Sequence, residues 1–350
     1  MKKIIFLRAN PSALGGAERY LSRLTNALNS LQIGCEIRSF SGSQKLSSWL
    51  KALKFNRQVC AQKGSDELYF SLERIECADI YRAGDGVHKI YRTLKPFWWL
   101  NPLNFVYPHL EKKCFANAKL IIANSNFIKN QIIDAYGTSA DKICLIYNGV
   151  NLPAKIEKDS AKLAICDKFG LDFKLPIVLF VGSGFKRKGV AEFLQILHLA
   201  RNKFGAPSLN AIVVGADKHL ENYRNLARKL GVNALFTGAQ KDVSKFYECA
   251  DVFLFPTHYE PFSNAVLEAM SYKNAVITTT QNGAAEILDA DFVLDSTDEA
   301  SKILTKLLSE AKFCEKIGEN NYKIAQNFTI EKNAKLSVEA ISRVLKEENA

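Results

Sequence analysis

No two of the eight cysteines in this 350-residue chain form a CxxC pair; they are scattered at positions 35, 60, 77, 114, 144, 166, 249 and 314. That scatter fits neither zinc ligands nor a disulfide framework, so the eight read as free thiols of a reducing cytoplasm. No stretch approaches the roughly 20 apolar residues of a membrane span. The run Ile4 to Leu7 after Met1-Lys2-Lys3 is too short for a signal-peptide core. The Gly-Lys-Ser/Thr end of a P-loop is missing, as is the three-glycine dinucleotide fingerprint. There is no low-complexity tract and no repeat at solenoid periods.

What is present in excess is positive charge. The chain has 47 Lys+Arg against 36 Asp+Glu, a net +11, which suggests an anionic partner. Residues 1–150 carry 21 basic and 11 acidic side chains, whereas residues 151–350 carry 26 and 25. One half is basic and the other nearly neutral, as expected of two domains with different partners.

The chain opens as a strand (3–9), a loop with Gly15-Gly16, and a stretch where Tyr20, Leu21, Leu24, Ala27, Leu28 and Leu31 recur at helical spacing. Further strands are expected at 67–71, 78–82, 120–124 and 142–147, with a helix at 126–136. A turn and a proline at Asn148-Gly149-Val150-Asn151-Leu152-Pro153 place the boundary after 152. Beyond it, strands at 176–181, 211–215, 234–237, 252–256 and 275–280 alternate with helices at 189–204, 218–230, 242–250 and 263–273. Such alternation means parallel βαβ units, so the fold class is α/β, with two doubly wound Rossmann-like domains. Those sheets bind ligands beyond the carboxyl ends of their strands, and a cleft between the two is the natural site.

Three constellations carry chemistry. In Phe255-Pro256-Thr257-His258-Tyr259-Glu260-Pro261-Phe262-Ser263-Asn264-Ala265 a buried strand ends, a loop carries Glu260, and a helix begins. The amides from Phe262 to Ala265 favour an anion such as phosphate. Glu260 suits sugar hydroxyls beyond it and Glu268 a ribose; otherwise Glu260 caps the helix and Glu268 is a surface acid. In Val181-Gly182-Ser183-Gly184-Phe185-Lys186-Arg187-Lys188-Gly189 a strand ends in glycines, three cations follow, and a helix starts at Gly189. The glycines admit a ligand to the backbone and the cations neutralise phosphate, unless they are a solvated charge run. Gly15-Gly16 is either a phosphate approach or a plain tight turn.

These stretches, with Ile122-Ala123-Asn124-Ser125 and Ile146-Tyr147-Asn148-Gly149-Val150, resemble the retaining GT-B glycosyltransferases of family four. The 181–190 segment and Asp79-Ile80-Tyr81-Arg82-Ala83-Gly84-Asp85 are most similar to the branch that glucosylates the lipopolysaccharide core. The resemblance implies a GT-B fold with residues 1–152 binding acceptor, 153–328 binding donor, and a C-terminal helix (329–350) returning toward the first domain. It implies transfer of a hexose, glucose first, from a nucleotide sugar such as UDP-glucose to a lipopolysaccharide core, lipooligosaccharide or related glycolipid. Arg187 and Lys188 would bind the diphosphate in place of a metal, and no cofactor is implied. Asp289-Ala290-Asp291 has the letters of a metal-binding motif but reads as an acidic turn. Glu260 would contact the donor sugar with the amides of Phe262, Ser263, Asn264 and Ala265, and Glu268 the ribose. Gly238, Ala239 and Gln240 would lie near the base, and Gly15, Gly16 and Gly184 near the phosphates. Asp85 would lie near the anomeric carbon, with His88 competing for that place.

Residues His88 to Lys119 hold Lys89, Arg92, Lys95, Lys112, Lys113 and Lys119 against Glu111, together with Trp98 and Trp99, two of the three tryptophans. Cations flanking aromatics fit a headgroup interface, and three prolines argue against one continuous amphipathic helix. The expectation is a peripheral enzyme at the inner face of a bacterial cytoplasmic membrane, touching it through Lys89, Arg92, Lys95, Trp98, Trp99, Lys112 and Lys113. No nucleic-acid motif accompanies the patch. A sugar-nucleotide 2-epimerase and a non-catalytic sugar-nucleotide-binding scaffold are the alternatives.

Overall fold

The computed structural model describes residues 2–10, 16–43 and 45–347. They form two compact units: residues 1–148 with 330–350, and residues 149–329.

Unit 1 begins with β1 (Lys3–Leu7), α1 (Gly16–Ser30), β2 (Cys35–Arg38), α2 (Ser48–Ala61), β3 (Glu67–Ser71) and β4 (Ile80–Ala83). It continues with α3 (His88–Tyr91), α4 (Leu103–Asn117), β5 (Leu120–Ala123), α5 (Asn126–Tyr136) and β6 (Ile143–Leu145). Unit 2 comprises α6 (Lys158–Phe169), β7 (Ile177–Val181), α7 (Phe185–Lys188), α8 (Val190–Asn202), β8 (Asn210–Val214), α9 (Leu220–Lys229), β9 (Ala234–Gly238), α10 (Ser244–Cys249), β10 (Val252–Phe255), α11 (Asn264–Ser271), β11 (Ala275–Thr278), α12 (Thr297–Ser309) and α13 (Ala311–Ala325). The last helix, α14 (Ile330–Glu347), belongs to unit 1.

Both sheets are parallel, in the orders β2-β1-β3-β4-β5-β6 and β11-β10-β7-β8-β9. Central strands such as Ile177–Val181 and Leu120–Ala123 are buried along their whole length, because helices cover both faces of each sheet. α14 packs Ile341, Val344 and Leu345 into the same core as Ile4, Phe6, Leu24 and Leu28, and Ser337 hydrogen-bonds Tyr20.

Four differences from the expected organisation have physical reasons. The first unit ends at Asn148 rather than 152, because Val150 already bridges to Thr329 at the end of unit 2. Gly189 separates two helices rather than starting one; its φ is +81° and a Cβ there would run into the Pro256 carbonyl oxygen. The cysteines are not all thiols: Cys60, near the end of α2, is disulfide-bonded to Cys77 before β4, with the Cα atoms 5.6 Å apart. Spacing alone could not show that pairing. Finally, 103–117 is one helix with Pro108 inside it. A proline strands the carbonyl four residues back; here that is Asn104, whose oxygen accepts from Arg92 Nη1 at 2.5 Å.

Candidate functional site

Unit 2 gathers its polar groups at the carboxyl edge of its sheet. β7 runs into Gly182, Ser183 and Gly184, which precede the single turn of α7, and Asp217 beyond β8 accepts from the Phe185 amide at 2.8 Å. Ser183 Oγ accepts from the Ala216 amide, so the ends of β7 and β8 are fastened to each other. Gly215, at φ +144°, leaves no room for a Cβ beside the Gly182 carbonyl. The backbone is thus held close and bare where the strands end.

β10 delivers the second wall. The Arg187 carbonyl accepts from the His258 amide at 2.9 Å and from Thr257 Oγ1 at 3.1 Å. In return the Arg187 guanidinium donates to the Tyr259 carbonyl and to Glu260 Oε2, both at 2.7 Å. Lys188 Nζ lies 3.7 Å from the same Glu260 oxygen and over the Phe255 ring. Glu260 is also fixed through its backbone: its amide donates to Gln281 O and its carbonyl accepts from Gly283 N. Arg187, Lys188 and Glu260 are all half-buried, so they stay accessible to a ligand. Two cations share one carboxylate, which leaves positive charge for an anion.

Glu260 is not the helix cap. Ser263 caps α11, its Oγ accepting from Val266 N at 3.2 Å. The Ser263 amide, expected to face a ligand, instead donates to Asn282 Oδ1 at 3.2 Å. Asn282 is buried and also accepts from Ala284 N, clamping the 279–284 loop onto the Glu260 loop. Sequence reasoning passed over Asn282, Asp217 and Thr257, which position the site without reaching outward. Asn264 is exposed and Phe262 buried; Ala265 and Glu268 are half-buried on α11, with Glu268 seven residues beyond Pro261.

Gly238 closes β9 and its carbonyl accepts from Gly215 N at 3.0 Å; Ala239 beside it is exposed. From the end of β10 to that of β9 is three strand spacings, about 14 Å, a cradle long enough for an extended ligand. His258 Nε2 meets Glu192 Oε1 at 3.1 Å. Asp289 accepts from the Asp291 amide, which makes Asp289-Ala290-Asp291 a capped turn.

In unit 1, Gly15 lies outside the described residues and Gly16 begins α1. Asp85 is exposed in the turn after β4, whereas His88 is buried. His88 Nε2 pairs with Asn104 Oδ1 at 2.8 Å, and burial lowers its pKa below the usual histidine value. Sequence reasoning missed a charge cluster at the same sheet edge. Arg8, just past β1, donates to Glu18 Oε1 at 2.7 Å and to Glu73 Oε1 at 3.0 Å. The partners stand 10 and 65 residues away, beyond any local pattern.

The segment expected at a membrane divides in two. Leu94, Phe97, Trp99, Leu100 and Phe105 are 51%, 65%, 55%, 74% and 52% exposed. Phe97 has a left-handed backbone at φ 54°, a strained conformation, and Asn104 Nδ2 secures the next turn by donating to Trp98 O at 2.5 Å. Trp98 and Arg92, expected to contact lipid, are half-buried and stack on each other, guanidinium carbon 4.3 Å from the ring centroid. Lys89 Nζ donates to Ala135 O, Lys113 pairs with Glu76, and Lys95 covers Tyr91; Lys112 is exposed. Beneath the segment, Glu111 is completely buried and accepts from Arg74 Nε at 2.8 Å, Tyr136 Oη at 2.6 Å, and the amides of His88 and Lys89 at 2.6 and 3.1 Å. Among the described residues no helix is long and apolar enough to cross a membrane.

A family model for glycosyltransferase family 4 matches residues 81–153, and one for glycosyl transferases group 1 matches residues 162–324. The capsular polysaccharide biosynthesis glycosyltransferase CapM of Staphylococcus aureus is 27% identical over 240 residues, 64% of this chain and 61% of CapM. The lipopolysaccharide glucosyltransferase WaaG of Escherichia coli is 32% identical over 152 residues, 41% of this chain and 40% of WaaG. The chain thus spans less than two thirds of either relative's length. Among solved structures, one of WaaG superposes with a TM-score of 0.77 at 20% identity, covering 95% of this chain and 99% of that one. The Anabaena protein HepE, solved with UDP and glucose, superposes with a TM-score of 0.74 at 19% identity, covering 98% and 100%. At those identities the superpositions establish the GT-B fold, and one family model falls in each half of the chain. The chain has the GT-B fold, with a glycosyl transferases group 1 match over residues 162–324 and a glycosyltransferase family 4 match over residues 81–153.

Proposed function

We propose that the protein is a retaining, metal-independent glycosyltransferase. It moves a hexose, with glucose the first choice, from a UDP-sugar to a lipopolysaccharide-core or related glycolipid at the inner face of the cytoplasmic membrane. The observation that carries the reading is the shared engagement of Glu260 by Arg187 and Lys188 at the carboxyl edge of the unit 2 sheet. A diphosphate placed there takes over the two cations and releases Glu260 to accept hydrogen bonds from the sugar hydroxyls. The names of WaaG and of the HepE complex support a glucose donor.

In the reaction the bond between the anomeric carbon and the diphosphate oxygen breaks while the acceptor oxygen adds on the same face. The acceptor's proton passes to the departing diphosphate. Arg187 and Lys188 stabilise the charge gathering on that leaving group, the role a divalent metal plays elsewhere, and fixed cations in a half-buried site do so without reorganising. Glu268 holds the ribose, and Asp85 faces the cationic anomeric carbon. The exposed apolar group around Leu100, with Lys95 and Lys112 exposed in the same stretch of sequence, supports contact with an anionic bilayer, the apolar side chains entering and the amines meeting headgroups.

The test is incubation of the full chain with radiolabelled UDP-glucose and vesicles containing a heptosylated lipid, with chelator present. Label in the lipid, with the anomeric configuration kept, is expected. Released epimer, or donor binding without turnover, overturns the reading.

A further inference from the structure

The corner between α7 and α8 is joined to the exit of β10 residue by residue. A Cβ on Gly189 would lie 1.8 Å from the Pro256 carbonyl oxygen, so the two backbones touch there. The Arg187 carbonyl accepts from Thr257 Oγ1 at 3.1 Å and from the His258 amide at 2.9 Å. The last tie is between side chains: Glu192, in the first turn of α8, has its Oε1 3.1 Å from His258 Nε2. A carboxylate can only accept, so Nε2 carries the proton and donates.

These two stretches carry the groups of the donor site. Arg187 and Lys188 stand on the first, and Glu260 follows His258 by two residues on the second. A shift of one stretch along the other changes the reach of both cations toward Glu260, 2.7 and 3.7 Å away, and toward any anion that displaces it. The Gly189 contact resists closer approach and nothing else. The two bonds at the Arg187 carbonyl converge on one oxygen, about which the loop can still turn. Glu192 and His258 add a second fixed point away from that oxygen.

The pair is open to water, with side chains 30% and 51% exposed, beside a cavity of about 300 Å³ that Thr257, Thr279 and Gln281 also line. A polar pair this exposed contributes little to folding. Its removal registers in geometry instead, and a misplacement of about 1 Å can cost a reaction about 10²-fold. Because the diphosphate gathers charge as its bond to the sugar breaks, misplaced cations act on kcat more than on KM.

We propose that Glu192 and His258 are positioning residues of the transfer reaction. Together they hold the α7–α8 corner and the Glu260 loop in the register that lets Arg187 and Lys188 meet the leaving diphosphate. Both act through Arg187 rather than on the reacting atoms. The inference rests on the glycosyltransferase reading above and adds a fastener that its donor site requires.

The experiment gives the full chain UDP-glucose and follows kcat and KM both for transfer to the heptosylated lipid and for hydrolysis without acceptor, with a thermal midpoint for each variant. Glu192→Ala and His258→Ala are each expected to lower kcat about tenfold, with KM for UDP-glucose within about twofold of wild type and the midpoint unmoved. The double variant is expected to match the worse single variant, since either change alone breaks the one bond. Glu192→Gln, whose side-chain oxygen still accepts from Nε2, is expected to keep most of the wild-type kcat. With an active wild type, an unchanged kcat in either alanine variant overturns the proposal, as does a rise in KM without a fall in kcat. A midpoint that falls together with kcat, additive losses in the double variant, or a glutamine variant as slow as the alanine one overturns it equally. A wild-type chain that neither transfers from nor hydrolyses UDP-glucose overturns the underlying function and the proposal with it.

Discussion

The two units spend their charges differently. In unit 2, Arg187, Lys188 and Glu260 meet at the rim of the sheet with side chains 15–33% exposed. In unit 1, Arg74 and Glu111 meet under the surface, 6% and 0% exposed. A rim pair can exchange partners with an incoming anion at modest cost, since water still reaches it. A buried pair cannot: each charge has lost its hydration and depends on the other. The first arrangement serves a ligand, and the second holds a surface segment in place. Mutation of each should therefore register in a different measurement.

The largest effect belongs to the buried pair. Glu111→Ala leaves Arg74 without its counter-charge and strips acceptors from Tyr136 and the His88 and Lys89 amides. A loss of about 3–5 kcal/mol is expected. All three tryptophans, at 49, 98 and 99, lie in unit 1, so denaturation followed by tryptophan fluorescence reads that unit alone. Glu111→Gln, which keeps an acceptor, should lose less. A fall below 1 kcal/mol in Glu111→Ala would erase the distinction between the units.

Next come the rim residues. Lys188→Ala and Glu260→Ala are each expected to lower the transfer rate about 10²–10³-fold, equivalent to roughly 2.7–4 kcal/mol, with the tryptophan-detected transition unmoved. Wild-type rates in both would remove the donor site from unit 2.

A third prediction concerns the surface that the buried pair supports. Leu100→Asp, and separately Trp99→Ala, should weaken cosedimentation with phosphatidylglycerol vesicles by about 10–100-fold, from about 1.5–3 kcal/mol of lost burial per large apolar side chain. Lys112→Ala should cost less, about 1 kcal/mol, and only at low salt. Because Trp98 is stacked under Arg92, Trp98→Ala is expected to act on stability more than on binding. If Leu100→Asp binds vesicles as wild type does, the exposed group serves some other surface.

The same contrast governs what could be read from the residues alone. In unit 2 the strands are short, β-rich and separated by helices, and strand positions at 176–181 and 252–256 lie within a residue of β7 and β10. The Gly182–Lys188 and Glu260 groups are each local in sequence, so their chemistry was visible before their meeting. Unit 1 hides more. β2 is a four-residue edge strand, Cys-Glu-Ile-Arg, without the apolar run that marks a central strand. α4 was concealed by Pro108, whose cost is offset by Arg92, a partner sixteen residues before it. The Cys60–Cys77 bond, the Arg8–Glu73 pair and the Arg74–Glu111 pair all join residues whose proximity exists only after the sheet forms. A cavity of about 220 Å³ in unit 1, with Lys51, Glu73, Arg74 and Tyr107 in its lining, is assembled from several such elements and has no signature in any one of them.

The smallest effect is a pH dependence confined to unit 1. His88 is buried against Tyr107 and Tyr91, with Arg74 and Lys95 disfavouring its protonation and Glu111 and the Asn104 bond favouring it; burial is the largest influence and the pKa is lowered. The unfolded chain therefore binds a proton at higher pH than the folded chain does. Stability from this group is complete above the ordinary histidine pKa near 6.5 and is lost as pH falls toward the folded value, by at most about 1.4 kcal/mol per pH unit. The tryptophan-detected transition should weaken between pH 7 and 5.5 in wild type and less so in His88→Gln, whose amide can still donate to Asn104. Equal slopes in the two proteins would mean that the imidazole is protonated as easily inside as outside, and that unit 1 keeps water where its packing says it does not.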